Sequence, residues 1–277
     1  MKSSMRKRRT WSSSVGLIVG FIAFATTFIG CSGVGSVSGP PPPGTVTVYN
    51  AIPGLLPPNM ASAGFQATQT SEFGDYIHLA GANRLLKAVT VTMSDWAMRA
   101  DYPLMPSSGW SHPVTLNIYS AVAGTPLNSA GGLLGTVTQS FIIPWRPPSD
   151  PLSPDGTSWK GSDGGWYHGL AFNITFDFES LNITLPSGII VGVAYNTQTY
   201  GRAPIGTSGP YNSLNVGVVG SATAGTDDNT DRVFWNTSTA ASYADGGFAG
   251  SGVFREDTGW AAVSPWGTLP VQIKAAP

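Results

Sequence analysis

Residues 84–96 read Arg-Leu-Leu-Lys-Ala-Val-Thr-Val-Thr-Met-Ser-Asp-Trp, and the pattern of this stretch recurs along the chain. Its main apolar side chains share one side of a two-residue period: Leu85, Val89, Val91 and Met93. Its polar side chains share the other side: Thr90, Thr92 and Ser94. Alternation of this kind, in a stretch rich in β-branched residues, predicts a β-strand with one buried face.

Many other stretches have the same character and predict further strands. They are residues 45–49, 61–70, 75–80, 114–119, 137–143, 170–178, 181–185, 214–219, 232–235 and 269–274. Residues 189–195 are almost continuously apolar, which is typical of a central strand covered on both faces. No stretch after the N-terminal region has the period of an amphipathic helix. The sequence therefore predicts an all-β fold, an antiparallel two-sheet sandwich that is jelly-roll-like.

The first 30 residues have the features of a secretory signal peptide. A basic start that includes Lys2 and Arg6 precedes an apolar run over residues 15–29. Cys31 is the only cysteine of the chain, and it follows Ile-Gly as in the lipobox of bacterial lipoproteins. We interpret Cys31 as a lipidation site that anchors the protein to a membrane, with plain secretion as the alternative.

The chain after the signal peptide divides into a spacer and one domain. Residues 31–44 are rich in Gly and Ser and end in four prolines and a glycine, which suits a linker. Residues 45–277 are predicted to form a single β-sandwich domain. Cleavage before Cys31 leaves nine basic and 15 acidic residues, a net charge of −6, which does not favour nucleic acid as a partner.

The order of several stretches resembles a group of uncharacterised bacterial secreted and surface proteins built on a β-sandwich. The stretches are Ala-Asn-Arg-Leu-Leu-Lys-Ala-Val-Thr-Val-Thr (82–92), Val-Thr-Leu-Asn-Ile-Tyr (114–119), Gly-Thr-Pro (124–126), Leu-Leu-Gly-Thr-Val (133–137), Phe-Asp-Phe (176–178) and Leu-Pro-Ser-Gly-Ile-Ile-Val-Gly-Val-Ala-Tyr-Asn (185–196). The chain also resembles the exported "choice-of-anchor" type of domain. The resemblance implies an exported surface module, and it transfers no catalytic residue.

Asp177 and Glu179 are the strongest catalytic candidates. If residues 170–179 form one strand, both carboxylates lie on its outward face, where a pair could serve a glycoside hydrolase or lyase. The longer Glu-x-Asp-x-x-Glu motif of jelly-roll glucanases is absent from the sequence. A solvated strand end is the alternative interpretation, and we expect no catalytic site here.

The segment Asp227-Asp-Asn-Thr-Asp231 contains oxygen ligands two residues apart. Asp227, Asn229 and Asp231 are therefore candidates to bind a structural calcium ion. The glycine and glutamate of an EF-hand loop do not follow, and a solvated acidic turn is the alternative.

Residues 144–169 form a long segment without strand or helix periodicity, and it is unusually aromatic. Its candidate ligand-binding residues are Trp145, Trp159, Trp166 and Tyr167. Long loops of this kind usually have a function or are disordered, and disordered loops are poor in aromatic residues. The rings form either a stacking platform for sugar rings or a lid that closes one end of the sandwich, and we favour the lid.

Together these features predict a non-catalytic module that is exported to the cell envelope, lipid-anchored or otherwise secreted, and binds a glycan or a partner protein. Two alternatives remain open. One is a glycoside hydrolase or lyase on a jelly-roll scaffold, and the other is a purely structural envelope component.

Overall fold

The computed structural model describes residues 44–68, 70–124, 128–195, 214–237, 253–260 and 267–277. The predicted signal peptide, Cys31 and the spacer up to residue 43 lie outside these ranges. Within the described ranges, no helix combines the length and the apolar character needed to cross a membrane.

Fourteen strands run through the described residues, with one four-residue helix, Phe65–Thr68, between the second and third. The strands are β1 (Val46–Asn50), β2 (Ser62–Ala63), β3 (Thr70–His78), β4 (Leu85–Asp95), β5 (Trp110–Val122), β6 (Ser129–Ile143), β7 (Trp159–Lys160), β8 (Trp166–Tyr167), β9 (Leu170–Asp177), β10 (Gly188–Ala194), β11 (Leu214–Gly217), β12 (Arg232–Thr237), β13 (Arg255–Thr258) and β14 (Val271–Ala276).

The first sheet has six strands and is built around β4. Strand β9 pairs with one edge of β4 over residues 88–95. On the other edge, β14 pairs with residues 85–91 and β11 with residues 93–95. Strands β1 and β2 extend the sheet outward from β14 and β11. The stretch 84–96 is thus the central strand of this sheet.

The second sheet has six strands in the order β13-β12-β3-β10-β5-β6. Strand β10 lies between β3 and β5, and its five interior residues are buried. The prediction of a central strand at residues 189–195 is therefore confirmed. All pairings within both sheets are antiparallel, and a separate small hairpin joins β7 to β8.

The core lies between the two sheets and is filled by one face of each. Val89, Val91 and Met93 of β4 are fully buried and belong to the same apolar cluster as Leu116 and Ile118 of β5. Regular alternation fills such a core because successive side chains of a strand point to opposite faces. The predicted all-β, antiparallel sandwich is confirmed.

Two predicted strands are wrong. Residues 61–70 form only the two-residue β2 before the short helix begins at Phe65. Residues 181–185 form no strand, because a 3₁₀ turn at Glu179–Leu181 redirects the chain. Asn182 follows that turn with a φ of 49°, and Leu181 is 45% exposed rather than in the core.

Candidate functional site

A cavity opens where two sections of chain meet the same edge of β3. Strand β10 occupies one edge of β3, and β12 pairs with the other edge as far as Phe234 opposite Gly74. The next contact on that edge is the bridge between Thr226 and His78. Seven residues, 227–233, therefore lie opposite only three, 75–77. The longer section bows outward and forms one wall of the cavity.

This cavity, which we call the carboxylate pocket, has a volume of about 260 Å³. Its lining is polar and contains four acidic side chains, one arginine, two amides and one tyrosine. These residues are Asp75, Tyr76, Asn128, Asp227, Asp228, Asn229, Arg232 and Glu256. Acidic residues come from both walls, Asp75 from β3 and Asp227 and Asp228 from the longer section.

Two of the four acids are paired with positively ionisable groups. Glu256 is buried and lies 3.5 Å from a guanidinium nitrogen of Arg232. Its carboxylate also accepts hydrogen bonds from the backbone N–H and the side-chain amide of Asn128, at 2.6 and 3.0 Å. Asp228 is more exposed and lies 2.9 Å from Nε2 of His78. These contacts fix two sides of the pocket.

The other two acids of the lining are Asp75, which is buried, and Asp227, which is half-buried. Asp75 projects toward the core and accepts a hydrogen bond from the backbone N–H of Leu269 at 3.1 Å. Burial raises the pKa of Asp75 well above its ordinary value, and the neighbouring charge of Asp227 adds to the effect. Burial also raises the pKa of Asp227, although hydrogen bonds from Thr268 and Asn229 act in the opposite direction.

Tyr49 of β1 is fully buried in the apolar core. Burial, followed by the charges of Asp75 and Asp227, raises the pKa of its hydroxyl. Among the residues that the structure describes, the Tyr49 hydroxyl has no hydrogen-bond partner. A buried hydroxyl without a partner is costly, so this group lowers the stability of the fold.

The predicted calcium ligands form a turn at the rim of the pocket. Asp227 Oδ1 accepts the N–H of Asn229 at 3.0 Å, and Asn229 Oδ1 accepts the N–H of Asp231 at 3.1 Å. These side-chain oxygens thus bind the chain's own amides. In the described part of the chain, no three His, Cys, Asp or Glu side chains are grouped to hold a metal ion. The calcium site remains a prediction.

The aromatic segment 144–169 is more ordered than its sequence predicts. It contains the hairpin of β7 and β8, in which Trp159 pairs with Tyr167 and Lys160 with Trp166. Before the hairpin, Asp155 Oδ1 accepts hydrogen bonds from Thr157 and Ser158, and the Thr157 N–H is the largest cause that lowers the pKa of Asp155. The prediction that this segment lacks secondary structure is therefore wrong.

Arg146 ties the base of this segment to the end of β4. The side chain is 7% exposed, and its guanidinium donates to the backbone oxygens of Trp96 and Thr157. Its nitrogens also donate to Pro147 O and Ser149 Oγ. Four acceptors around one buried guanidinium hold the segment against the sheet.

The structure does not line up the four predicted ligand-binding rings on one face. Trp159 is 9% exposed, and its indole N–H donates to Gly169 O at 2.8 Å. Trp145 stacks with Tyr102 and contacts Trp110 in a separate cluster. Trp166 is half-buried under the ammonium of Lys160, and the hydroxyl of half-buried Tyr167 donates to Asp163. The buried Trp159 has the environment of a lid residue.

Asp177 and Glu179 are not both on a strand, so the geometry assumed for a catalytic pair is wrong. Asp177 is the last residue of β9, and its Oδ1 accepts the N–H of Glu179 at 2.8 Å. Glu179 begins the 3₁₀ turn and lies 3.6 Å from Lys87. This cluster closes a turn on the surface.

Sequence reasoning identified one wall of the carboxylate pocket and missed the other. The sequence marks the run 227–231 as acidic, but the calcium prediction includes neither Asp75 nor Glu256. Asp75 did give a signal, because it shares the inward face of β3 with Phe73 and Ile77. A charged residue on the core side of an alternating strand is unusual and marks a functional candidate.

No protein-family model, curated protein or solved structure matches this chain. The resemblance to exported surface proteins therefore remains a prediction.

Proposed function

We propose that the protein is a non-catalytic binding module of the cell envelope, and that it holds a glycan in the carboxylate pocket. The observation that carries this proposal is the lining of the pocket. Carboxylates and amides accept hydrogen bonds from hydroxyl groups, and amides and arginine donate to them. Sugars present both kinds of group on each hydroxyl, so a lining that mixes acceptors and donors suits them.

The size of the pocket favours one sugar ring over an extended chain. Sites for drug-sized molecules usually enclose about 300–1,000 Å³, and the carboxylate pocket is slightly smaller, at about 260 Å³. The half-buried ring of Tyr76 forms part of its wall and is held by edge contact with His78, with ring centroids 4.9 Å apart. Such a ring gives a sugar an apolar face on which to pack.

Export and anchoring are supported by the sequence. The basic and apolar N-terminal residues and the Ile-Gly-Cys31 junction support a lipidated, exported protein. A glycan-binding pocket on such a protein would face the outside of the cell or the periplasm. The few charged residues and many turn residues of the chain also suit an extracytoplasmic β-sandwich.

The strand order supports the jelly-roll scaffold that we propose for this module. A jelly roll divides eight strands between two sheets as two Greek keys. Strands β1, β14, β4 and β9 are neighbours in one sheet, and β3, β10, β5 and β6 are neighbours in the other. The main strands also cross from sheet to sheet along the chain, except at the hairpin of β5 and β6.

A glycan array with the full-length protein tests this proposal. We expect binding to a restricted set of glycans, and loss of that binding in an Asp227→Asn, Arg232→Gln double variant. A second variant, Glu179→Gln, changes the surface turn and should bind as the wild type does. An array without signal, or equal signals from all three proteins, would contradict glycan binding in this pocket.

A further inference from the structure

We propose that β6 pairs with β6 of a second copy of this chain, edge to edge and antiparallel, about a two-fold axis that passes by Gln139. The two six-stranded sheets would then form one continuous sheet. The inference goes beyond the proposed function, because it rests on the backbone edge of a strand and involves no ligand.

The first observation is that one edge of β6 is open. Strand β6 is the last strand of its sheet, and among the described residues it pairs only with β5. The register of this pair is regular for nine residue pairs, which extend over Gly135–Ile143 of β6. This section contains no charged residue, no proline and no bulge. Natural proteins use these features to protect exposed strand edges, so the section is open to another chain.

Charge distinguishes this edge from the other edge of the same sheet. That other edge is β13, which contains Arg255, Glu256 and Asp257. In contrast, residues 102–145, which include both β5 and β6, contain no Asp, Glu, Lys or Arg. Identical surfaces that carry a net charge repel each other, and an uncharged surface does not. The charge pattern therefore favours a second copy of the chain at β6.

The second observation is the direction of the backbone groups of β6. Leu79 N–H donates to Ser187 O at 2.8 Å, which fixes which residues of β3 and β10 bond to each other. Successive residues of a strand turn their backbone groups to opposite edges, so the register carries this alternation across β5 to β6. The odd-numbered residues of 135–143 bond to β5, which agrees with the position of Pro113 opposite Ser140, where no N–H is needed. The N–H and C=O groups of the even-numbered residues therefore point to the open edge: Thr136, Thr138, Ser140 and Ile142.

A two-fold axis at Gln139 uses the whole regular section, because Gln139 is its middle residue. Thr138 then exchanges backbone hydrogen bonds with Ser140 of the second copy, and Thr136 does so with Ile142. Every outward backbone group of the section thus obtains a partner. The edge is complementary to itself, which is what a closed two-fold dimer requires.

The inward side chains of the section also suit this pairing. Val137 and Phe141 pack against the core but are only half-buried, and among the described residues no strand extends the sheet beyond β6. In the pairing about Gln139, Val137 lies opposite Phe141 of the second copy, and the contact covers both. The two Gln139 amides meet at the axis, where each can donate a hydrogen bond to the other, since an amide has both donors and an acceptor.

The size of this contact predicts a moderate affinity. Nine antiparallel residues span about 30 Å. One added pair of strands lies at or below the lower end of the about 1,200–2,000 Å² that stable interfaces bury. We therefore expect a dimer that dissociates in the micromolar range.

Sedimentation equilibrium of the full-length protein, at about 1–200 µM, tests this inference. We expect a monomer–dimer equilibrium in the wild type. Gln139→Lys and Gln139→Glu each place two like charges at the axis, and each should weaken the dimer at least about tenfold. An equimolar mixture of the two variants should associate again, because opposite charges then meet. Gln272→Lys is the matched control and should dimerise as the wild type does, since Gln272 is half-buried on β14 of the other sheet.

Amide hydrogen exchange locates the contact. Raising the concentration of the wild type across the same range should slow the exchange of residues 135–143. A wild type that stays monomeric at every concentration would overturn the proposal and leave this edge to an extended peptide of another protein. Dimerisation that neither charge at residue 139 weakens would overturn it as well. A mixture that does not associate again would also overturn it, because the contact would then lack the proposed two-fold register.

Discussion

Asp75 is an ionisable residue in a buried position, and its ionisation opposes folding. Its carboxyl is buried on the inward face of β3, and burial with the charge of Asp227 raises its pKa above the ordinary 3.8. The folded state therefore binds this proton more tightly than the unfolded state does. The stability that results is fully present below about pH 3.8 and is lost as the pH rises through the folded-state pKa.

The Asp75→Asn variant should therefore be more stable than the wild type at neutral pH. The amide cannot ionise, and its oxygen can still accept the N–H of Leu269. We expect a gain of about 1 kcal/mol at pH 7, or roughly 2–4 °C in melting temperature for a domain of this size. Thermal melts between pH 3 and pH 8 measure the difference, which should vanish near pH 3. A variant that is less stable at pH 7 would mean that the carboxylate is favoured as an anion.

The tryptophans of the aromatic segment differ in burial, and this predicts different costs of truncation. Trp159→Ala removes a buried ring and its hydrogen bond to Gly169, and it should cost about 3–5 kcal/mol. Trp166→Ala removes a half-buried ring and should cost about 1 kcal/mol or less. Urea denaturation of the two variants measures both. Similar losses for the two would contradict the assignment of Trp159 as the lid residue.

At the scale of the elements, the pocket depends on the close passage of residues 224–226 between His78 of β3 and Tyr49 of β1. Gly225 has a φ of +71°, and a Cβ atom there would lie 2.5 Å from His78 O and 2.7 Å from Tyr49 Cδ2. Only glycine satisfies both the backbone angle and the close approach. The turn that brings Asp227 to the edge of β3 therefore requires Gly225.

A matched pair of glycine variants tests this requirement. Gly81 has a similar φ of +64° but open space around the position of its Cβ. Gly81→Ala should cost only the backbone strain, about 1–2 kcal/mol. Gly225→Ala adds a steric clash and should cost about 1–3 kcal/mol more, with loss of ligand binding. Equal stability of the two variants in urea would show that the chain has room beside Tyr49.

Sequence alternation predicts the strands well where one face is buried and the other is free. It succeeds for residues 89–91 and 174–177, whose side chains are alternately buried and more exposed. It fails at residues 181–185, because a local 3₁₀ turn overrides the pattern. It also misses β13, whose residues Arg-Glu-Asp-Thr contain no apolar side chain and owe their strand to pairing with β12.

The pocket was harder to predict than the strands because its parts are far apart in sequence. Asp75, Asp227 and Glu256 line one pocket only because the chain leaves the edge of β3 after residue 226 and pairs with it again from Phe234 of β12. That register is a property of tertiary pairing. The acidic run at 227–231 could be recognised from sequence, but its neighbours could not.

At the scale of the whole molecule, the expected lipid anchor makes a separate prediction. Cys31→Ser should abolish acylation and release the protein to the medium or the periplasm. Two acyl chains hold a protein firmly at a membrane, and the variant would carry no acyl chain. Metabolic labelling with palmitate, followed by fractionation, measures both effects. Absence of label in the wild type would contradict the anchor and favour plain secretion.

The central claim is that the carboxylate pocket, and not the aromatic segment, is the binding site. Titration calorimetry with the glycan that gives the strongest array signal tests it most directly, with Asp227→Ala and Trp166→Ala variants of the full-length protein. We predict that Asp227→Ala weakens binding by about tenfold or more, and that Trp166→Ala leaves the affinity within about twofold. Loss of binding in Trp166→Ala with retention in Asp227→Ala would contradict the claim and assign the site to the aromatic segment.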